Sequence, residues 1–161
     1  MRSEQEVSIA IDTYSNMVLR ICGVYLKNDA DAEDIFQTVF LRYALRDRGF
    51  DSPEHEKAWL IRVTVNACKD LLKSFFRSKT VPLAELPGYL SQLEPEHLEV
   101  MEAVWALPKQ YREVIYLHYY EGCTAPEIAR ILKKNPNTVY THLARAKTQL
   151  KEALGGELHG E

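Results

Sequence analysis

The chain has little of what catalysis, secretion or membrane insertion would need. Its 161 residues include only three cysteines, Cys22, Cys68 and Cys123, odd in number and far apart. No CxxC pair or disulfide framework can be built from them, and buried thiols are expected. No apolar run approaches the roughly 20 residues of a membrane span, and the opening MRSEQEVSIA has no signal-peptide core. A cytoplasmic protein is expected. His55, His97, His118, His142 and His159 are scattered, and His118 and Cys123 lack metal-ligand spacing. No glycine-rich phosphate loop exists, and no nucleophile has a plausible base nearby in sequence. An enzyme, a metal site and a cofactor are therefore not expected. Glycine and proline are sparse, at seven each, while 46% of residues are hydrophobic. That balance predicts helices with few turns around a real core, in one ordinary domain or two small ones.

What is present is clearest in the stretch TAPEIARILKKNPNTVYTHLARAKTQL, residues 124–150. Thr124 followed three residues later by Glu127 is a capping-box pattern that starts a helix at Ala125. Its apolar side holds Ile128, Ala129, Ile131 and Leu132, and it should stop near Lys133. Asn135-Pro136 then starts a second helix, Asn as the cap and Pro in the first position, where no amide is needed. The short gap from Lys133 to Asn135 fits a helix-turn-helix.

At about 100° per residue, Val139, Leu143, Ala146 and Leu150 fall on one arc of the second helix and face the core. Asn137, Thr141, Ala144 and Thr148 point away, with Tyr140 and Arg145 on the flanks. A solvated helix back usually carries Glu and Lys. Small hydrogen-bonding residues around one Arg and one Tyr suit a helix lying in a DNA major groove. From Ile128 to Lys151 there are six basic residues and no acidic one. An ordinary helical hairpin with a basic solvated face is the plainer alternative. Caps, turn length, facing and charge together favour DNA reading.

The net charge of −3 cuts the other way, because phosphate attraction needs clustered Lys and Arg. The charge is distributed unevenly, however. Lys57 to Thr80 holds six bases against the single acid Asp70, whereas Val81 to Leu107 holds five acids and no base. Two basic patches separated by an acidic strap describe a protein that needs help to reach DNA.

Helical periodicity opens the chain from about Glu6 to Leu26, with Ile9, Tyr14, Met17, Val18, Ile21 and Tyr25 apolar. Asn28 to Asp31 breaks it. A second helix is expected from about Ala32, its positive end lined by Asp31, Glu33 and Asp34. Its core face is Ile35, Phe36, Val39 and Tyr43. Opposite lie Asp34, Gln37 and Leu41, with Phe40 close to the same edge. These four form either a small docking face for another protein or an ordinary surface with one stray leucine. Residues 46–56, RDRGFDSPEHE, read as a loop. Phe50 within it either folds onto the core or offers a platform on which a base stacks.

Lys57 to Arg77 predicts a helix apolar in nearly every direction, hence packed among neighbours. Its polar residues Arg62, Asn66, Lys69, Lys73 and Arg77 form one outward stripe. Such a stripe is commonly just solvated. Beside a loop aromatic, it is also what a single-stranded nucleic acid channel requires. Pro82, Pro87 and Pro95 mark residues 79–95 as an acidic flexible linker. Helices resume at about Glu96 to Ala106 and Lys109 to Tyr120, and Glu121-Gly122 ends the latter in a glycine cap. The expected fold is thus all-α: a helical domain over 1–78, the linker, a helix-turn-helix domain over 96–155, and a frayed tail over 156–161.

Four segments in register, DAEDIFQTVFLR (31–42), KAWLIRVTVNACKDLL (57–72), ALPKQYREVIYLHYYEG (106–122) and the helix-turn-helix, resemble bacterial RNA polymerase sigma factors of the extracytoplasmic-function (ECF) type. The resemblance spans residues 10 to 154. It implies a promoter-specificity subunit without catalysis, partnered by core RNA polymerase (clamp helices and flap) and promoter DNA. Family members are commonly held inactive by an anti-sigma factor, so one is expected here. The polymerase-binding positions would be Asp34, Gln37, Phe40 and Leu41. The −10 element would be met as separated strand by Phe50, Arg62 and Asn66, with Lys69 and Lys73 on the same ridge. The −35 element would be read from the second helix of the C-terminal motif, by Tyr140, Thr141 and Arg145, with Lys134, Asn137 and Thr138 beside them.

Several positions depart from the family pattern. Thr38 stands where an acid is usual, Lys133 where the turn commonly has Gly, and Tyr140 and His142 where basic residues are frequent. The angles put His142 near the core boundary rather than on a base. The alternative is an autonomous helix-turn-helix regulator. It accounts for residues 96 to 154 and leaves the Lys57–Arg77 ridge and Phe50 without a task.

Overall fold

The computed structural model describes residues 1–78 and 95–155. The expected linker, apart from Pro95, and the expected tail at 156–161 lie outside the described residues. Among those described, all regular structure is helical. The chain divides into two compact units, Met1–Tyr89 and Leu90–Glu161.

The first unit contains α1 (Glu4–Tyr25), α2 (Asp29–Leu45) and α3 (Pro53–Ser78), each packed on the other two. Ser3 and Glu6 form a reciprocal capping box that starts α1. Its buried side is Met17, Val18, Ile21, Cys22, Val24 and Tyr25, while Ile9 is exposed, contrary to the periodicity. Asn28 does not break the chain before α2; it caps it. Its side chain accepts from the Asp31 amide at 2.8 Å, and the helix begins three residues earlier than expected. Similarly, α3 starts inside the segment read as loop. Ser52 Oγ accepts from the His55 amide at 3.0 Å and Pro53 occupies the first helical position.

As the apolar circumference of α3 requires, Leu60, Ile61, Val65, Ala67 and Cys68 are buried among its neighbours. The three helices are also tied by one carboxylate. Glu56, in the first turn of α3, accepts hydrogen bonds from Tyr14 of α1 at 3.0 Å and Tyr43 of α2 at 2.7 Å. Burial first, and these bonds second, push both phenols up to about 12.

The second unit contains α4 (Pro95–Trp105), α5 (Lys109–Tyr119), α6 (Ala125–Leu132) and α7 (Pro136–Ala153). Pro95, expected to close the linker, is the first residue of α4. Gly122 follows α5 in the left-handed conformation at φ 70°, as its glycine cap predicts. Met101, Val104, Val114, Ile115, Tyr116, Leu117, Ile128, Val139, Ala146 and Leu150 make the core. Both caps of the helix-turn-helix form as read. Thr124 and Glu127 exchange bonds at 2.8 and 3.3 Å, and Asn135 accepts from the Asn137 amide at 2.8 Å. The turn between them is not relaxed: Lys133 takes φ 56°, ψ 48°, a left-handed conformation that costs a non-glycine residue about 1–2 kcal/mol.

Candidate nucleic-acid interface

In the second unit, the two sides of α7 separate as the sequence predicts. Val139, Ala146 and Leu150 are buried and Leu143 is half-buried. Asn137, Tyr140, Thr141, Ala144, Arg145 and Thr148 are exposed, and Thr138 is half-buried at the edge. Tyr140 is 57% exposed, a large ring held mostly in solvent. The hydroxyls of Thr141 and Thr148 donate to the carbonyls of Asn137 and Ala144, four residues back, at 3.0 and 3.1 Å. Each hydroxyl oxygen keeps its capacity to accept. The exposed arc therefore offers an amide, two hydroxyls, a phenol and a guanidinium, a set able to meet base edges and phosphates together.

Lys134 departs from its expected place at the DNA. Its Nζ lies 2.9 Å from Oε2 of Glu113, a carboxylate of α5 that is 2% exposed. A carboxylate so deeply buried needs compensation, and the turn lysine contributes to it. It holds the turn onto α5 instead of reaching outward. His142 is half-buried, edge-on to the Tyr111 ring at 5.5 Å, and its Nδ1 is buried without a hydrogen bond. It packs against α5 at the core boundary, where the angles put it.

On α3 of the first unit, Arg62 and Lys73 are exposed while Asn66 and Lys69 are half-buried. The ridge thus faces outward along its described length, with the amide recessed between cations. Phe50 precedes it, half-buried, with its ring set against neighbouring rings and cations. Tyr43 lies parallel at 6.0 Å, while Trp59 and His55 meet it edge-on at 5.7 and 5.3 Å. The guanidiniums of Arg46 and Arg2 stand 4.5 and 4.9 Å from its centroid. The ring packs back onto the first unit and keeps part of its surface exposed. Neither arginine carries a sequence signal beyond Arg46 preceding the loop aromatic by four residues.

On α2, Asp34, Gln37 and Leu41 are exposed, Leu41 by 59%. Phe40 is not part of that surface. It is 4% exposed and packs on Phe36 at 4.8 Å. At 100° per residue it falls between the core arc and the outer arc, and the neighbouring ring draws it inward. Leu45 extends the outer stripe by one turn and is exposed as well.

Comparison with known proteins decides what these two units are. Residues 10–77 match the family described as Sigma-70 region 2, and residues 97–150 match Sigma-70, region 4. RNA polymerase sigma factor SigV of Bacillus subtilis is 31% identical over 86% of this chain and 84% of its own. The chain belongs to the ECF sigma factors. The ECF sigma factor SigW of Bacillus subtilis is 26% identical over 89% of this chain and 86% of its own. The fold agrees with that of the Bartonella quintana sigma factor RpoE, solved with the anti-sigma factor NepR: TM-score 0.74, 16% identity, covering 96% and 99% of the two chains. It also agrees with CnrH, solved with the cytosolic domain of CnrY: TM-score 0.64, 22% identity, covering 97% and 92%. This sigma factor is a promoter-specificity subunit that works with core RNA polymerase and promoter DNA. Sigma factors are non-enzymatic initiation subunits. The autonomous regulator leaves the region 2 match at residues 10–77 unexplained. Among the described residues, no helix is long and apolar enough to cross a membrane.

Proposed function

We propose that this sigma factor divides promoter recognition between its two units, with α7 reading the −35 element and the α3 ridge receiving the −10 strand. The observation that carries the reading is the sorting of α7. Its inner arc is apolar and buried, while its outer arc presents Asn137, Thr138, Tyr140, Thr141 and Arg145. Such a helix, held by a capped turn, fits the major groove with its N-terminal half towards base edges. Residues 1–78 serve as the strand-opening domain and residues 96–155 as the −35 domain, with the acidic linker between them.

In the first unit, Arg62, Lys69 and Lys73 follow the sugar-phosphate backbone, and Asn66 offers a recessed amide to an extruded base. Extrusion costs a few kcal/mol, supplied by binding rather than by catalysis. Phe50 and its loop form the wall beside that base. Asp34, Gln37 and Leu41, extended by Leu45, dock on the clamp helices of core polymerase, with Phe40 supporting them from beneath. The polymerase supplies the electrostatic attraction that a chain of net charge −3 lacks. Residence in the cytoplasm and control by an anti-sigma factor, as in the complexes of RpoE and CnrH, complete the reading.

The test is reconstitution of the full chain with sigma-free core polymerase. Start-site-specific transcripts are expected, and Asn66→Ala should spare polymerase binding while impairing opening at −10, read by permanganate reactivity of unpaired thymines. Unchanged opening in that variant would remove Asn66 from base capture.

A further inference from the structure

Arg2 lies far in sequence from every residue assigned above, yet it is joined to the last turn of α2 and to the loop before α3. Its backbone amide donates to the Ala44 carbonyl at 2.8 Å. Nη2 donates to the Arg48 carbonyl at 2.8 Å, and Nη1 to Glu6 Oε2 at 3.2 Å. The carbon at the centre of its guanidinium stands 4.7 Å from the Tyr43 ring centroid and 4.9 Å from that of Phe50. The side chain is only 11% exposed.

Glu6 fixes this geometry from the other side. One of its oxygens closes the α1 capping box on Ser3 while the other holds Arg2. The start of α1 thereby determines where the guanidinium sits. Arg46 completes the arrangement, standing 4.5 Å from the Phe50 centroid and 5.3 Å from that of Trp59. Two cations therefore bracket one ring, and one of them also anchors the loop backbone at residue 48. A surface arginine serving only solubility would keep its guanidinium in water.

We propose that Arg2 is a positioning residue for −10 strand capture: it holds the 46–52 loop and the Phe50 ring in the conformation that receives the unpaired strand. A loop fixed before binding loses less entropy when the strand arrives, so affinity for the strand depends on the bracket although Arg2 touches no DNA. The proposal rests on the reading of Phe50 and Asn66 as strand-contacting.

The experiment uses holoenzyme assembled from the full chain and core polymerase, with a fluorescent single-stranded oligonucleotide carrying the −10 sequence. Arg2→Met keeps the aliphatic stem and removes the guanidinium. It should weaken strand binding about tenfold, within the range of one base–aromatic stacking contact, with affinity for core polymerase unchanged. Arg2→Lys, which keeps a cation over the rings and one donor for the Arg48 carbonyl, should recover part of the loss. In a Phe50→Ala background, Arg2→Met should cost nothing further. That non-additivity is read at low temperature, so it holds even where Arg2→Met lowers the melting temperature. Additive losses, or no loss on Arg2→Met while Phe50→Ala and Asn66→Ala both weaken binding, would overturn the role of Arg2 alone. If neither Phe50→Ala nor Asn66→Ala weakens binding, the −10 assignment itself fails.

Discussion

Lys134 Nζ lies 2.9 Å from Glu113 Oε2, and this ion pair joins the turn of the helix-turn-helix to the helix beneath it. The carboxylate is almost wholly buried and the ammonium partly so, which makes the pair asymmetric. Removing the lysine takes away a cation 2.9 Å from a buried carboxylate, whereas removing both partners leaves no charge to neutralise. Lys134→Met should therefore destabilise the chain by about 1–3 kcal/mol, and Glu113→Gln combined with Lys134→Met by less. Denaturant midpoints of the single and double variants measure this. A loss below 1 kcal/mol in Lys134→Met would mean that the lysine is free to contact DNA after all.

The residue before it stores strain. Lys133 is left-handed at φ 56°, a conformation that glycine adopts without steric cost. Lys133→Gly should relieve about 1–2 kcal/mol of backbone strain, offset in part by the greater freedom of glycine in the unfolded chain. A net gain of about 1 kcal/mol is expected, seen as a higher denaturant midpoint at unchanged slope. A lower midpoint would show that the lysine side chain contributes more than its backbone costs.

These two neighbours also mark where sequence reading ended. The helix-turn-helix was legible almost to the residue because Thr124, Glu127, Asn135 and Pro136 act on backbone groups within three positions of themselves. The starts of α2 and α3 were misplaced by the same chemistry. Asn28 and Ser52-Pro53 favour turns and helix caps alike, and only the packing that follows chooses between them. Phe40 lies at an angle that periodicity cannot assign, and Phe36 decides it. Lys134 finds its partner 21 residues away, and Arg2 its carbonyl 46 away. No local signal announces such bonds. The outward ridge of Arg62 and Lys73 and the outer arc of α7 were legible because each needed only one helical period.

His142 gives the second unit a pH dependence whose sign follows from its surroundings. Burial first, and then Lys134, lower its pKa below the usual 6.5; Glu113 pulls the other way, and Arg145 adds a smaller lowering. The folded chain thus prefers the neutral ring, while the unfolded chain takes up a proton at the ordinary value. Stability is fully present above about pH 6.5 and declines as the pH falls through the lowered folded value. Denaturation midpoints should drop between pH 7.5 and pH 5.5, and His142→Gln should flatten part of that slope. An unchanged slope in the variant would place the proton uptake elsewhere.

Arg145 tests the groove reading most directly, because it is exposed on the outer arc while Ala146 beside it is buried. A bidentate contact from its guanidinium to a guanine edge contributes about 1–3 kcal/mol of discrimination, and a phosphate contact contributes none. Arg145→Ala should therefore reduce holoenzyme binding at one −35 sequence by that amount and relax the preference at a single base pair. Competition binding across a set of −35 point variants reads both effects at once. A phosphate role predicts a different pattern: equal weakening on every sequence, with the salt dependence of binding falling by about one counterion. The two outcomes are separable in one titration series, and only the first is compatible with α7 lying in the major groove with Arg145 towards the bases.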